Sequence, residues 1–247
     1  KGEKILKVIL VDIEGNITLG KGTHLILKDL ALLRKYKIYS EKRGYPEAVF
    51  CTGRSQPFVE MLTMALDWFY DLPSIVENGS ALWWPKTDDY ELNPKINLQE
   101  WLDIKTSVVK TLLPAFKLDK EFKFEPGKDI CLSISPMPNT PENVESLFQR
   151  AKKELKKHPQ IFSKISVFHS NSAVDINPKG VDKGSGLRFF SQRTKIKFSE
   201  MAAIGDSLGD FPVFKLVARG GGKVGCPDNA SKECKQLVRK LGGYVSS

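Results

Sequence analysis

Acidic and small polar residues follow apolar, strand-like runs at several points of this 247-residue chain. In an open parallel sheet, ligands bind at the carboxyl ends of the strands, so we expect these residues to meet at one site. A lysine, Lys183, lies in "GVDKGSGL", at the predicted start of a helix. The residues at the strand ends are Asp12 and Glu14, then Thr52, Gly53 and Arg54, and then Asp206 and Asp210.

These residue types favour the chemistry of phosphate esters. Oxygen ligands on short, rigid turns suit Mg²⁺, which prefers a few carboxylates together with waters and phosphate oxygens. A carboxylate can also act as a nucleophile and split one difficult hydrolysis into two easier steps. A metal and a lysine would offset the charge of the phosphoryl group, which otherwise repels such a nucleophile. A threonine hydroxyl and a glycine amide would supply further donors to the phosphate.

The elements that position these residues follow an alternating pattern. The continuous apolar run 5–12 predicts a strand that is covered on both faces. Alternation of such runs with helical periods predicts an α/β fold with a parallel sheet. Further strands are predicted at 48–55, twice within 73–84, at 201–207 and at 222–226. A helical pattern at about 25–34 closes near 44–46, and a last helix starts at Asn229, which is expected to cap it.

The middle of the chain has a different pattern, helix–strand–strand repeated twice. Asn97 with Glu100 and Thr140 with Pro141 are cap signatures that predict the two helix starts. Alternating strands follow each helix, and the last two form a hairpin around 170–171. The sequence therefore predicts a core domain at 1–84 and 176–247, with an inserted α+β (αββαββ) domain at 85–175.

Composition excludes several classes of protein. Hydrophobic residues make up 41% and charged residues 27%, as in soluble globular proteins. No apolar run approaches the length of a membrane span, and no signal-peptide pattern is seen at the start, so we expect no membrane partner. The four cysteines lack metal-ligand spacing. We expect them to be reduced thiols in a cytoplasmic protein.

The net charge of +9 favours anionic partners, either nucleic acid or a phosphorylated small molecule. The densest basic cluster, "AKKELKKH" at 151–158, lies on an amphipathic helix, where its lysines are expected to form a solvated face. No basic strip with interleaved aromatic residues stands out, so we expect no nucleic acid partner. The oligomeric state is left open.

Four short motifs follow one another along the chain: "DIEGN" (12–16), "CTGRS" (51–55), "VDKG" (181–184) and "GDSLGD" (205–210). Together they resemble the motifs of the haloacid dehalogenase-like (HAD) phosphatase superfamily. The insertion between the second and third motifs resembles the cap domain of the superfamily's sugar-phosphatase branch. "VENGS" (76–80) and "CPDNAS" (226–231) resemble that branch as well. The similarity is greatest to archaeal phosphoglycolate phosphatases and extends to mannosyl-3-phosphoglycerate phosphatases.

The resemblance implies a role for each matching residue. Asp12 would be the nucleophile and a Mg²⁺ ligand, and Glu14 would give its carbonyl to the metal and its side chain to acid/base catalysis. Lys183 would bridge the nucleophile and the phosphate. The remaining residues would bind phosphate or metal: Thr52 and Gly53 the phosphate, Asp206 and Asp210 the metal. Asn229 lies in a corner that faces the active site in similar enzymes, so the resemblance implies that it binds phosphate or substrate. Arg54 would contact either the substrate or a nearby acid.

Two positions depart from the family pattern. The family usually has aspartate at position 14, and the extra methylene of Glu14 moves the carboxylate by about 1 Å, enough to change a rate about 10²-fold. Gly209 stands where asparagine is common.

The resulting prediction is a Mg²⁺-dependent phosphatase that hydrolyses a small phosphorylated metabolite, of the phosphoglycolate or sugar phosphate type, through an aspartyl phosphate on Asp12. The alternatives are a phosphomannomutase-like phosphotransferase, and a weakened HAD protein that only binds phosphorylated ligands because of Glu14 and Gly209.

Overall fold

The chain divides into two compact units in the computed structural model, which describes residues 5–20, 23–170 and 172–247. The core unit is formed by the chain up to Asn93 and from Lys183 onward, and the inserted unit is Pro94–Asp182. The sequence pattern puts the insertion at 85–175. The inserted unit of the structure begins later, because residues 89–92 pair with the preceding strand of the core unit. It also ends later, at Asp182, because the strand at 174–178 pairs within the sheet of the inserted unit.

The elements are numbered in chain order. The strands are β1 (Val8–Val11), β2 (Glu47–Phe50), β3 (Ser74–Val76), β4 (Ala81–Trp84), β5 (Asp89–Leu92), β6 (Phe122–Phe124), β7 (Leu132–Pro136), β8 (Ile165–His169), β9 (Val174–Pro178), β10 (Met201–Ile204), β11 (Lys223–Cys226) and β12 (Tyr244–Val245). The helices are α1 (Leu27–Arg43), α2 (Gln56–Leu66), α3 (Leu98–Ala115), α4 (Pro141–Lys156), α5 (Pro159–Phe162), α6 (Lys183–Thr194), α7 (Phe211–Arg219) and α8 (Lys232–Lys240).

A parallel sheet in the order β12-β11-β10-β1-β2 organises the core unit. Successive side chains of β1 point to opposite faces. Val8 and Leu10 pack with residues of α6, α7 and α8, whereas Val11 packs with residues of α1 and α2. Burial on both faces explains why the run around β1 is continuously apolar. The predicted α/β fold with a parallel sheet is confirmed.

A second sheet of the core unit, antiparallel in the order β3-β4-β5, follows α2. Its first strand runs parallel to the end of β2, where Cys51 bridges Ile75 and the Thr52 N–H donates to the Ile75 carbonyl at 3.0 Å. This pairing brings the turn after β3 next to the polar residues that follow β2.

The inserted unit has an antiparallel sheet in the order β6-β7-β9-β8 and helices α3, α4 and α5. Asn97 caps α3 by accepting from the N–H of Glu100, and Thr140 caps α4 by accepting from the N–H of Asn143. The predicted helix–strand–strand order is confirmed, with α5 as an addition. The predicted turn between β8 and β9 includes residue 171, which lies outside the described residues.

Helix α4 carries the densest basic cluster of the sequence. Its buried stripe consists of Val144, Leu147, Ala151 and Leu155. Lys153 and Lys156 are exposed, as predicted for a solvated face. No helix in the described part of the chain combines the length and the apolar character that crossing a membrane requires.

The cap of the last helix was predicted wrongly. Ser231 caps α8, because its hydroxyl accepts from the N–H of Cys234 at 3.1 Å. Asn229 lies two residues earlier, and its side-chain amide donates to the Gly15 carbonyl at 2.9 Å. An asparagine just before a helix is a common cap, and only the tertiary contact explains why this one is used elsewhere.

Candidate active site

The carboxyl ends of β2, β1 and β10 lie side by side and carry the predicted site residues. Val11 is in register with Phe50 on one side and with Ile204 on the other. Asp12, Thr52 and Asp206 follow these strand ends and are all buried. The Asp12 N–H continues the ladder by donating to the Ile204 carbonyl at 2.9 Å. The sheet register therefore brings together residues that are far apart in sequence.

Lys183 is the centre of the charged cluster. Its Nζ lies 3.0 Å from Oδ2 of Asp12 and 2.7 Å from Oδ1 of Asp210. Its side chain is only 5% exposed, so both ion pairs are shielded from water. Lys183 is the first residue of α6, as the sequence predicts. One ammonium thus contacts two carboxylates that come from different strand ends.

Asp210 also shapes the loop that follows β10. Its Oδ2 accepts from the backbone N–H groups of Asp206 and Ser207, both at 3.1 Å. Gly205 is required here, because a Cβ at this position would overlap the Asp210 carboxyl group. By contrast, a Cβ at Gly209 would meet only the Ser207 hydroxyl, at 3.7 Å, so the loop has room for the side chain that Gly209 lacks.

The carboxylates of Asp12, Asp206 and Asp210 form a buried acidic group whose ligand atoms all lie within 4.8 Å of one another. Burial raises the pKa of Asp12 to about 7, and the neighbouring carboxylates add to the rise while Lys183 opposes it. Burial, together with Asp210, likewise raises the pKa of Asp206 to about 7. Burial lowers the pKa of Lys183, but the attraction of the Asp12 and Asp210 carboxylates outweighs the effect of burial. The lysine pKa is therefore held well above its usual value.

This donor set fits Mg²⁺. Hard carboxylate oxygens on short turns are the ligands that this ion prefers. Three buried carboxylates cluster here, and Lys183 contacts two of them. The Glu14 side chain lies outside the acidic group. Its carbonyl, the predicted metal ligand, accepts from the side-chain amide of Asn16 at 3.1 Å.

The Glu14 carboxylate pairs with Arg54. Nη2 of Arg54 donates to Oε1 of Glu14, and the guanidinium lies over the ring of Phe58 at 4.6 Å from its centroid. Both charged side chains are partly exposed, Arg54 by 22% and Glu14 by 30%. The structure thus shows the second of the two contacts that the sequence left open for Arg54. The Arg54 Nε is buried and has no hydrogen-bond partner among the described residues.

Two residues that received no role from the sequence lie at this site. Gly15 has a left-handed backbone (φ +75°), and a Cβ there would overlap Oδ2 of Asp206. Its carbonyl accepts from Asn229, which places Asn229 next to the loop that follows Asp12.

Asn78, within the "VENGS" motif, lies against Gly53: a Cβ at Gly53 would be 2.9 Å from the Asn78 Oδ1. The Asn-Gly pair after an apolar run was the available signal for Asn78.

Comparison with known proteins supports the family that the motifs indicate. The family model of the haloacid dehalogenase-like hydrolases matches residues 115–244, slightly more than half of the chain. The phosphoglycolate phosphatase of Nitrosopumilus maritimus is 27% identical over 241 residues, covering 96% of this chain and 91% of that protein. The phosphoglycolate phosphatase of Methanobrevibacter smithii is 28% identical over 239 residues, covering 93% of this chain and 92% of that protein.

A solved structure from Thermoplasma acidophilum has the same fold. It superposes with a TM-score of 0.69 at 18% identity, covering 98% of this chain and 92% of that chain. The chain therefore belongs to the haloacid dehalogenase-like hydrolases, and the predictions of this superfamily and of a phosphatase enzyme are confirmed.

Proposed function

We propose that this protein is a Mg²⁺-dependent phosphatase that hydrolyses a small phosphorylated metabolite through a covalent phosphate on Asp12. The observation that carries the proposal is the position of the Lys183 Nζ, 3.0 Å from Asp12 and 2.7 Å from Asp210 at a buried strand edge. A cation held against a buried carboxylate lowers the repulsion between that carboxylate and an incoming phosphoryl group.

The reaction begins with Asp12. Its backbone N–H is tied to β10, and its Oδ1 accepts from the Ile13 N–H at 2.9 Å, so the side chain is held in one orientation. A carboxylate oxygen attacks phosphorus and forms the Asp12–phosphate bond as the bond to the leaving oxygen breaks. Glu14 gives a proton to that oxygen. Water then attacks phosphorus as the bond between phosphorus and Asp12 breaks, and Glu14 takes a proton from that water. Inorganic phosphate is released, and the Asp12 carboxylate is restored.

The substrate phosphate is bound by Thr52, Gly53 and Lys183. Thr52 is 1% exposed, and its Oγ1 accepts from the Arg54 N–H at 3.1 Å, which orients the hydroxyl. The Arg54 Nε–H, which has no hydrogen-bond partner among the described residues, is a further donor for the substrate. Asn229 supports this site by holding the Gly15 carbonyl.

Asp12, Asp206 and Asp210, with the Glu14 carbonyl, would hold Mg²⁺. When bound, the ion supplies positive charge beside the phosphoryl group and relieves the repulsion among the three carboxylates. The chain's own residues orient the nucleophile and move the protons.

The substrate class rests on the relatives. Two proteins that match this chain over nearly its whole length are phosphoglycolate phosphatases, so we place phosphoglycolate first and sugar phosphates second. The net charge of +9 is consistent with an anionic substrate.

The test is release of inorganic phosphate from phosphoglycolate, several sugar phosphates and p-nitrophenyl phosphate, with Mg²⁺ and with chelator. Asp12→Asn removes the nucleophile, and Asp71→Asn, at an exposed acid of the core unit, is the matched control. We expect Mg²⁺-dependent release that Asp12→Asn abolishes and Asp71→Asn leaves unchanged. Mass spectrometry of acid-quenched turnover should locate phosphate on the Asp12 peptide.

Other outcomes separate the alternatives. Transfer of phosphate to a sugar in preference to water would identify a phosphotransferase. Mg²⁺-dependent binding of the esters without any release, in folded protein, would identify a binding protein in which the pairing of Glu14 with Arg54 has replaced proton transfer.

A further inference from the structure

The short turn after β3 has an unfavourable backbone. Glu77 and Asn78 both have positive φ, 46° and 56°, and Gly79 follows with φ 87°. Such conformations disfavour residues with a Cβ, and glutamate is rarer there than asparagine. Glu77 and Asn78 are nevertheless buried, with 1% and 5% exposure. A buried, strained turn persists only where the surrounding contacts hold it.

The first set of contacts joins this turn to the loop that follows β2. The Asn78 N–H donates to the Thr52 carbonyl at 3.0 Å, and the Glu77 N–H donates to the Arg54 carbonyl at 2.9 Å. Gly53 lies between these two bonds. The Asn78 amide fills the space beside it, since a Cβ on Gly53 would be 2.9 Å from Oδ1 and 3.3 Å from Nδ2.

The second set of contacts joins the turn to the start of α6. A Cβ at Gly186, one helical turn after Lys183, would be 2.5 Å from the Cα of Gly79. The side-chain amide of Asn93 donates both to the Gly79 carbonyl, at 2.9 Å, and to the Ser185 hydroxyl, at 3.3 Å. The turn is therefore packed between the backbone that carries Thr52 and the helix that carries Lys183.

We propose that Asn78 is a positioning residue for phosphate binding: it sets the distance between the Thr52–Arg54 backbone and Lys183. This inference rests on the proposed function of those residues as the phosphate site. The left-handed backbone of Asn78 aims its N–H at the Thr52 carbonyl, and the Asn78 side chain limits the movement of Gly53. Misplacement of a phosphate donor weakens binding of the ester and of inorganic phosphate together.

The test compares Asn78→Gly with Asp67→Gly. Glycine accepts a left-handed backbone without strain, so Asn78→Gly keeps the N–H bond and removes only the side-chain amide. Asp67 also has a positive φ, 58°, but it lies at the end of α2, away from the site, and is therefore the matched control. We expect Asn78→Gly to raise both KM for the ester and the inhibition constant of inorganic phosphate about tenfold, while Asp67→Gly changes neither.

A merely structural role would give a different result. Loss of folded protein lowers kcat in proportion to the inactive fraction and leaves KM and phosphate inhibition unchanged. That result, with Asn78→Gly folded or partly folded, would overturn the inference while the phosphatase function stands.

A second variant tests the contact itself. Gly53→Ala places a methyl group against the Asn78 amide. Part of the effect of Gly53→Ala on phosphate affinity should therefore disappear in the Asn78→Gly background, where that amide is absent. We expect the loss of phosphate affinity from Gly53→Ala to be several times smaller in that background than in the parent. Equal losses in both backgrounds would show that the two residues do not act on each other.

Inorganic phosphate binding, measured by calorimetry in Mg²⁺ without any ester, separates this inference from the proposed function. If the parent protein binds phosphate but hydrolyses nothing, a tenfold weaker binding by Asn78→Gly upholds the positioning role although the phosphatase function fails. If the parent neither binds phosphate nor hydrolyses an ester, both proposals are overturned.

Discussion

Arg54 donates a hydrogen bond from its guanidinium to the carboxylate of Glu14, across the carboxyl ends of two neighbouring strands. The Glu14 side chain contacts Arg54 and lies outside the buried acidic group of Asp12, Asp206 and Asp210. The pair therefore connects the residue proposed for acid/base catalysis with a residue proposed for substrate binding. A change in either partner should affect the other, but the kinetic consequences differ.

The loss of kcat on removing the acid function of Glu14 should depend on the leaving group of the ester. Glu14→Gln keeps the length of the side chain and an oxygen for Arg54, but an amide cannot transfer the proton. We expect kcat to fall about 10²-fold with phosphoglycolate, whose alkoxide needs a proton, and much less with p-nitrophenyl phosphate. Glu60→Gln is the control, at an acid of α2 that accepts a hydrogen bond from Gln56, and it should leave kcat unchanged with both esters. Equal losses on both esters would remove Glu14 from proton transfer.

Removing Arg54 should mainly weaken substrate binding. Arg54→Gln deletes the buried Nε donor and the partner of Glu14, so we expect KM to rise about tenfold with a smaller change in kcat. Arg150 offers a matched control, because it also pairs with a glutamate, Glu121, and also lies 4.6 Å from a phenylalanine ring centroid. Arg150→Gln should leave KM unchanged. A similar KM effect from both variants would contradict the role of Arg54.

Gly15 should be required for Mg²⁺ binding and turnover, and not only for the left-handed backbone conformation. Gly15 and Gly44 both have left-handed φ, +75° and +67°, so the backbone strain of an alanine should destabilise the fold by about 1 kcal/mol at either position. Only the Cβ of Gly15→Ala meets another group, the carboxylate of Asp206. We expect Gly15→Ala to lower turnover about 10²-fold and to weaken Mg²⁺ binding, with Gly44→Ala near normal in both. Denaturant unfolding and Mg²⁺ titration measure the two effects separately.

The metal-free protein should lose stability as pH rises. Burial raises the pKa of Asp12 and of Asp206 from 3.8 to about 7, so the folded state holds protons that the unfolded state has released. Stability from these groups is present below the unfolded pKa and is lost as pH rises from about 4 to about 7. Thermal unfolding of chelator-treated protein measures this slope, and Asp206→Asn should make it shallower. A slope unaffected by this substitution would contradict the prediction.

Periodicity alone was sufficient for much of the fold. The continuous apolar run at β1 requires burial on both faces, and the structure covers that strand with helices on both sides. The caps at Asn97 and Thr140 are local interactions within one helical turn, so neighbouring residues determine them. The cap of α8 could not be predicted in this way, because the alternative use of Asn229 is a contact with a residue 214 positions away.

By itself, the sequence determined the alternation of strands and helices, the family, and the residues at the strand ends, since these depend on residue type and spacing. Only the tertiary structure decided that Arg54 pairs with Glu14, that Lys183 lies between Asp12 and Asp210, and that the Asn78 turn packs against Gly53. The physical reason is that side-chain partners depend on strand register and on distances in space. Register follows from the packing of the whole core, which no local pattern encodes.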